Sequence, residues 1–326
     1  MIKAIYFHAN ASKTEGSGHL MRMYALAEEA RSRNIDTYLI GKVSEVPWIT
    51  PEFLNQVFVR VFSDSTKVSQ ELSESVLVWD SYRVTGETQE ILSLSFSKKF
   101  LIADAVTPTH NADGVILLET SDGWRTFLSE YKIPYLEGRE FVPVRKSHQI
   151  GSRFNPSGTS NFFRILIFSG GVDFNSFVLP LSQFILSNFP LVSLLTISDT
   201  TQRVQNHRFA QIRATQDFDQ ILDKSDVVIT SASSSIYEVL SRRIPSGFVV
   251  TAPNQHSNRE FLLGENLSLE IGVYQEAEFI VHEEALRKLL TDSEARQLLQ
   301  SNSVKLVDGL GARRIIDAVV DGFKSA

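Results

Sequence analysis

The 326-residue sequence contains no cysteine. A disulfide framework, a thiol nucleophile and a thiolate metal site are therefore excluded, and the composition suits a reducing compartment. Long apolar runs are missing too, since none reaches the roughly 18 to 20 residues that cross a bilayer. The apolar opening Met1-Ile2-Lys3-Ala4-Ile5-Tyr6-Phe7 breaks at His8, too short for a signal core and without a small-residue cleavage site. A soluble, cytoplasmic chain with no transmembrane segment is expected. Positive charge is not in excess: 32 Lys and Arg against 38 Asp and Glu leave a net charge of −6. The basic residues are scattered beyond the pairs Lys98-Lys99 and Arg242-Arg243, so a nucleic-acid partner, which requires a basic stripe, is not expected. The sequence also lacks His-Glu-x-x-His, Gly-Lys-Ser or Gly-Lys-Thr, and Gly-x-Ser-x-Gly. These absences argue against a helix-borne zinc site, a P-loop and a nucleophile elbow. No metal and no cofactor are expected.

What is present is ample apolar material: 43% hydrophobic and 21% charged residues, enough for sizeable cores under a solvated surface. The length suits two domains of about 150 residues. In the first half, strand-like runs at 3–8, 36–40, 75–79, 99–103, 115–118 and 135–137 alternate with helical periodicity at 18–33 and 87–95, with a further apolar run at 57–62. Residues 146–161 are dense in Ser, Gly, Asn, Pro and Thr and read as a linker. The pattern then restarts with strands at 164–168, 192–197, 227–230 and 247–251, and a short apolar Phe209-Ala210. Helices are expected at 175–188, from 219, and at 235–242, 258–265, 283–290, 292–308 and 312–323. The expectation is a pair of doubly wound parallel α/β domains, at 1–150 and 160–326.

In open parallel sheets, ligands bind beyond the carboxyl ends of the strands, so the residues there are the candidates. Gly16, Ser17, Gly18 and His19 precede a helix carrying Arg22; glycines admit a ligand close to the backbone and a helix start offers free N–H groups. A dinucleotide fingerprint would need a glycine where Met21 stands. A helix N-terminus favours neutral imidazole, so His19 is either a general base or a helix cap. Asp80, Tyr82 and Asp104 follow strands and are either substrate contacts or strand terminators. In the second half, Ser169-Gly170-Gly171-Val172-Asp173 is either a ligand-binding loop or a tight connection. Ser231, Ser233, Ser234 and Ser235 offer hydroxyls to a diphosphate. Glu238 either completes a capping box with Ser235 or accepts from a ribose diol. Asn254 and Gln255 carry amides suited to a base or sugar, and Asp217-Phe218-Asp219 reads as a helix cap.

Taken in order, several of these segments resemble the UDP-2,4-diacetamido-2,4,6-trideoxy-β-L-altropyranose hydrolase family of pseudaminic acid biosynthesis and related spore-coat polysaccharide proteins. They are Gly16-Ser17-Gly18-His19-Leu20-Met21-Arg22, Asp80-Ser81-Tyr82, Gly138-Arg139-Glu140-Phe141-Val142-Pro143-Val144-Arg145 and Ser169-Gly170-Gly171-Val172-Asp173. Ser231-Ala232-Ser233-Ser234, Glu238, Asn254-Gln255 and Asp308-Gly309-Leu310-Gly311-Ala312-Arg313-Arg314 complete the set. The resemblance implies a GT-B architecture, two Rossmann-like domains facing a central cleft, with the last helix packing toward the first domain. The second half looks like the UDP-binding half of the inverting N-acetylglucosaminyltransferase that makes lipid II. It implies Gly170, Gly171, Ser231, Ser233, Ser234 and Glu238 on the nucleotide, and Asn254 and Gln255 near the diphosphate or sugar. His19 would activate water at the anomeric carbon, with Asp80 and Tyr82 beside it, and Gly16, Gly18, Arg22, Asn10 and Asp104 on the substrate side. The family commonly has aspartate at Asn10, histidine at Ser81 and a double aspartate at Ala103-Asp104. These departures fall on the sugar side and open the choice of sugar and acceptor. The expected function is release of UDP from a UDP-linked amino-deoxy sugar. The alternatives are an inverting glycosyltransferase, an epimerase on the same architecture or a non-catalytic UDP-sugar binder.

Overall fold

A computed structural model describes residues 2–68, 72–80, 85–103, 112–119, 122–149, 163–170, 177–198, 204–275 and 278–323. The chain divides into two compact units, Met1–Lys146 with Gly309–Ala326, and Ser147–Asp308. The division falls at 146/147. The final segment, grouped in sequence with 160–326, belongs to the first unit.

The first unit contains β1 (Ala4–His8), α1 (Gly18–Arg31), β2 (Asp36–Ile40), α2 (Pro51–Leu54), β3 (Arg60–Phe62), β4 (Ser75–Asp80), α3 (Gly86–Ser93), β5 (Lys98–Ala103), β6 (Gly114–Leu117), α4 (Asp122–Glu130) and β7 (Tyr135–Glu137). Its seven strands lie in the order β3-β2-β1-β4-β5-β6-β7, and every neighbouring pair is parallel. Chain order reverses between β1 and β4, as in a doubly wound fold. Both central strands are buried along their whole length, because helices cover both faces of such a sheet. Alternate residues Tyr6, Tyr38, Leu77, Trp79, Leu101 and Leu117 pack with Ile91 and Leu92 of α3 and Trp124 and Leu128 of α4. Helix α4 is absent from the expected elements although Trp124, Phe127, Leu128 and Tyr131 have helical spacing; its polar intervening residues broke the run.

The second unit contains β8 (Phe163–Phe168), α5 (Val178–Asn188), β9 (Val192–Ile197), β10 (Phe209–Ile212), α6 (Phe218–Asp223), β11 (Val227–Ser231), α7 (Ser235–Ser241), β12 (Ser246–Val249), α8 (His256–Gly264), β13 (Leu269–Gln275), β14 (Glu278–Val281), α9 (Glu283–Thr291) and α10 (Ser293–Leu306). The strand order β10-β9-β8-β11-β12-β13-β14 repeats the first sheet, with β14 antiparallel to β13 at the edge. Ile165, Ile167, Val227 and Ile229 turn to one face, against Leu181 and Ile185 of α5 and Leu286 and Leu289 of α9. Leu166, Phe168 and Val228 turn to the other, against Leu222 of α6 and Val239 of α7. The β13–β14 pair was also missed in sequence. Its half-exposed alternation and charged ends hide it, and Gly272 serves it by leaving room for the Phe279 ring, 2.6 Å from where a Cβ would sit.

The last helix, α11 (Gly311–Asp321), packs on α1 and on the 3-10 turn Arg139–Phe141. A Cβ on Gly311 would lie 2.1 Å from the Val142 carbonyl oxygen, and Arg314 Nη1 donates to the Glu140 carbonyl at 3.0 Å. Two motifs 170 residues apart in sequence, around Glu140 and around Gly311, therefore form one joint. Arg33 of the α1 end also pairs with Asp317 at 2.7 Å.

Two caps differ from the sequence reading. Ser234, not Ser235, occupies the N-cap of α7 and its side chain makes no capping bond, so the capping box with Glu238 does not form. Asp217 stands at the N-cap of α6 but accepts from the Gln220 side chain at 3.2 Å, not from a helix N–H.

Candidate active site at the two sheet crossovers

The first constellation lies at the β1/β4 crossover. The loop after β1 closes with mutual backbone bonds between Ser12 and Gly16, and Gly16 has φ +76°, a conformation that favours glycine. Gly18 opens α1 and Ser17 is its N-cap, without a side-chain bond. This brings His19 and Arg22 over the last residue of β4, Asp80. His19 Nδ1 is 2.6 Å from Asp80 Oδ1. Arg22 donates from Nε to Oδ2 at 2.7 Å and from Nη2 to Oδ1 at 3.0 Å. All three side chains are at least nine-tenths buried.

A carboxylate only accepts, so His19 Nδ1–H donates to Oδ1. The 2.8 Å approach of Arg22 Nη2 to Nδ1 is then the third side of a triangle of two donors sharing one acceptor. This bond fixes the tautomer and leaves the lone pair on Nε2, which is shielded from solvent. His19 is therefore an oriented imidazole and not a helix cap, and Arg22 clamps Asp80 in two-point geometry.

Asn10 sits in the same loop, where its Oδ1 accepts from Lys42 N at 2.8 Å and ties the loops after β1 and β2 together. His8, which the sequence reading passed over, ends β1, is 1% exposed and bonds through Nδ1 to the Ile40 carbonyl at 2.8 Å. Burial lowers its pKa, against the upward pull of that bond and of Glu87, Asp80 and Glu15. Reading strand ends, the rule that found Asp80, would have found it. Tyr82 and Asp104 lie outside the described residues, as does Ser81.

The second constellation occupies the equivalent β8/β11 crossover. Ser231 Oγ donates to the Ser169 carbonyl at 2.8 Å and lies 2.9 Å from Ser233 Oγ, itself 2.9 Å from Ser235 Oγ. Each hydroxyl has one proton, so with that of Ser231 placed on Ser169 the chain runs from Ser235 through Ser233 to Ser231. Gly170 has φ +90°, and a Cβ there would lie 3.1 Å from Ser233 Oγ, so glycine keeps the hydroxyl row open. Asn258 of α8 braces the turn by donating to the Ala232 carbonyl at 2.9 Å while accepting from Tyr237 at 3.0 Å. Asn254 is exposed on the turn Pro253–Gln255. Gln255 is buried and bonds Thr251, accepting from its N at 2.9 Å and donating to its Oγ1 at 3.1 Å. Glu238, in the first turn of α7, lies 3.7 Å from His148 Nε2. Gly171 is outside the described residues, with Val172 and Asp173.

Among the described residues, no group of three or more His, Asp or Glu is placed to hold a metal ion. No helix among them is long and apolar enough to cross a membrane.

Two such units, each a doubly wound sheet with its polar residues at the crossover, define a GT-B fold. No protein-family profile matches the sequence, and no curated protein does. Solved structures match over almost the whole chain. UGT89C1 of Arabidopsis thaliana, complexed with UDP-L-rhamnose, is 10% identical with a TM-score of 0.64, covering 99% of this chain and 100% of its own. A UDP-N-acetylglucosamine 2-epimerase is 15% identical with a TM-score of 0.62, covering 100% and 98%. A glycosyltransferase from Rickettsia africae is 12% identical with a TM-score of 0.61, covering 99% of both chains. The likeness is one of fold.

Proposed function

We propose that this protein is an inverting glycosyltransferase acting on a UDP-linked sugar, with His19 as the base and the second unit as the holder of the nucleotide. The observation that carries the reading is the buried His19–Asp80–Arg22 constellation at a sheet crossover. An imidazole whose Nδ1–H is fixed by a carboxylate is arranged to take a proton at Nε2 and to have the resulting imidazolium stabilised. In the proposed reaction an acceptor hydroxyl loses its proton to Nε2 while its oxygen bonds the anomeric carbon. The bond from that carbon to the β-phosphate oxygen breaks, and UDP departs with the electron pair. The serine row and Gly170 receive the diphosphate, which draws the Ser233 and Ser235 protons outward from their internal chain. Two of the structural neighbours, one complexed with UDP-L-rhamnose and one a UDP-N-acetylglucosamine 2-epimerase, support a UDP-sugar as the donor class.

A second reading keeps every atom of this scheme and makes water the acceptor. It is favoured by the ordered motifs from Gly16 to Arg314, which resemble a UDP-sugar hydrolase family. Turnover of a UDP-sugar panel in oxygen-18 water decides between the two. Label in the anomeric hydroxyl of free sugar establishes the hydrolase, whereas UDP release only on addition of an organic acceptor establishes the transferase. In either case His19→Ala lowers kcat by about 10² to 10⁴ with UDP affinity retained. Unchanged kcat in that variant removes His19 as the base.

A further inference from the structure

His8, the last residue of β1, stands at the same crossover as His19 but on the other face of the sheet. It is in register with Ile40 of β2 and Trp79 of β4. Its side chain therefore turns to the face on which those two pack with Ile91 and Leu92 of α3. Asp80, one residue beyond Trp79, turns to the opposite face, where it meets His19 and Arg22 of α1. The crossover thus has an imidazole on each side. A carbonyl oxygen only accepts, so His8 donates from Nδ1 to Ile40 at 2.8 Å. Burial lowers the pKa of the ring and keeps it neutral, which leaves Nε2 with its lone pair.

Glu87, in the first turn of α3, acts on the His8 ring more strongly than the carboxylates of Asp80 and Glu15. Its Oε2 accepts from Lys42 Nζ at 3.2 Å, and the Lys42 backbone is tied to the loop after β1 by Asn10. Lys42 follows β2, Glu87 follows β4, and β1 lies between these strands. The ion pair therefore crosses the carboxyl end of β1, where His8 sits. The other carboxylate oxygen, Glu87 Oε1, is buried with no hydrogen-bond partner among the described residues. A buried carboxylate oxygen without a donor is costly to a fold, and its place at a sheet crossover suits an atom kept for a ligand.

We propose that His8 and Glu87 are specificity-determining residues for the acceptor: at Nε2 and Oε1 they take hydrogen bonds from hydroxyls of a neutral sugar, other than the hydroxyl that His19 deprotonates. This rests on the reading of His19 as the base for an organic acceptor. A phosphate or carboxylate at this position would set its oxygens against two lone-pair groups, one of them charged. A cation is not called for, because Lys42 already balances Glu87. A hydroxyl suits both sides, since it donates to an acceptor and can itself accept from the remaining Lys42 protons. A site of this kind rejects an analogue that lacks the hydroxyl, because the analogue leaves a buried acceptor unpaired.

The test uses the full chain with UDP-glucose and UDP-N-acetylglucosamine as donors. The acceptors are methyl glucoside and methyl galactoside, their monodeoxy forms and the corresponding uronic acids. Besides the acceptor that lacks the reacting hydroxyl, wild type is expected to lose about 10-fold or more in kcat/KM for at least one other deoxy form. It is also expected to disfavour the uronic acids. His8→Asn keeps an amide donor for Ile40 but has no Nε2, so the penalty for that deoxy form falls to about 2-fold or less. Glu87→Gln weakens the discrimination against uronic acids while UDP affinity is retained. An unchanged deoxy pattern in His8→Asn, an equal loss for every acceptor, or a wild type that prefers uronic acids overturns the proposal and leaves His19 as the base. Free sugar in place of any transfer product overturns the transferase reading and the proposal with it, and the absence of any product does the same. Long-range 1H–15N correlation needs no variant: His8 is expected to show a protonated Nδ1 and a bare Nε2, with Nε2 shifted by methyl glycoside and UDP together but not by UDP alone. An Nε2–H ring refutes the mechanism.

Discussion

At the residue scale, the His8 ring at the end of β1 is buried, with one nitrogen on the Ile40 carbonyl of β2. Burial lowers its pKa, so the native state keeps it neutral where the unfolded chain begins to protonate, near pH 6.5. The unfolded state then binds more protons than the native one, and stability falls as pH drops below that point toward the folded value. For one such group the slope is at most about 1.4 kcal/mol per pH unit. His8→Asn keeps an amide donor for Ile40 and removes the titration. Denaturant melts from pH 7.5 to 5 are expected to show a shallower loss of stability in this variant than in wild type; identical slopes would show that another group carries the acid sensitivity. Asp80 needed only the rule of strand ends to be noticed. Its two partners, three residues apart on α1, could not be assigned to it without coordinates, because the separation of 58 positions between Arg22 and Asp80 leaves no local signature.

At the element scale, helices α1 and α11 behave as a pair. Helix α1 is buried on nearly every side, with Leu20, Met23, Leu26, Ala27 and Ala30 inside, because the sheet covers one side and α11 another. The seating of α11 depends on one missing methyl group. A Cβ at Gly311 would fall 2.1 Å from a backbone oxygen that cannot swing aside, so Gly311→Ala must displace the helix. The expected cost is about 1–3 kcal/mol of stability, read as a lowered unfolding midpoint with faster hydrogen exchange in α1 and α11. A variant as stable as wild type would mean that the joint is more yielding than its geometry implies. The segments around Gly138–Arg145 and Gly311–Arg314 were legible as motifs, and the resemblance implied that the last helix packs toward the first domain, but not that these two segments meet. The purpose of these residues is packing, which depends on residues far apart in the chain.

At the scale of the molecule, the two units have separate cores, one around Tyr6, Trp79 and Leu101 and one around Ile167, Ile229 and Leu289. Unfolding of such a chain need not be two-state. If the nucleotide is held by residues of the second unit, UDP at about 100 times its Kd stabilises that unit by about 2.7 kcal/mol. Calorimetry with hydrogen exchange is then expected to place the gain first in β8, β11 and α7, and Ser233→Ala to diminish it. Protection confined to the first unit would contradict the assignment. The alternation of short apolar strands with helices was sufficient to specify two parallel sheets, since burial of both faces leaves near-continuous apolar runs in the sequence. The strand ends followed from it, and with them most of the candidate residues. The sequence by itself thus determined the architecture and the kinds of chemical group at its crossovers, because both depend on local pattern. Which partner each group holds, His19 on Asp80, Asn258 between Ala232 and Tyr237, α11 against Val142, was decided only by the tertiary structure, because hydrogen bonds and close packing act through distances that the order of residues does not encode.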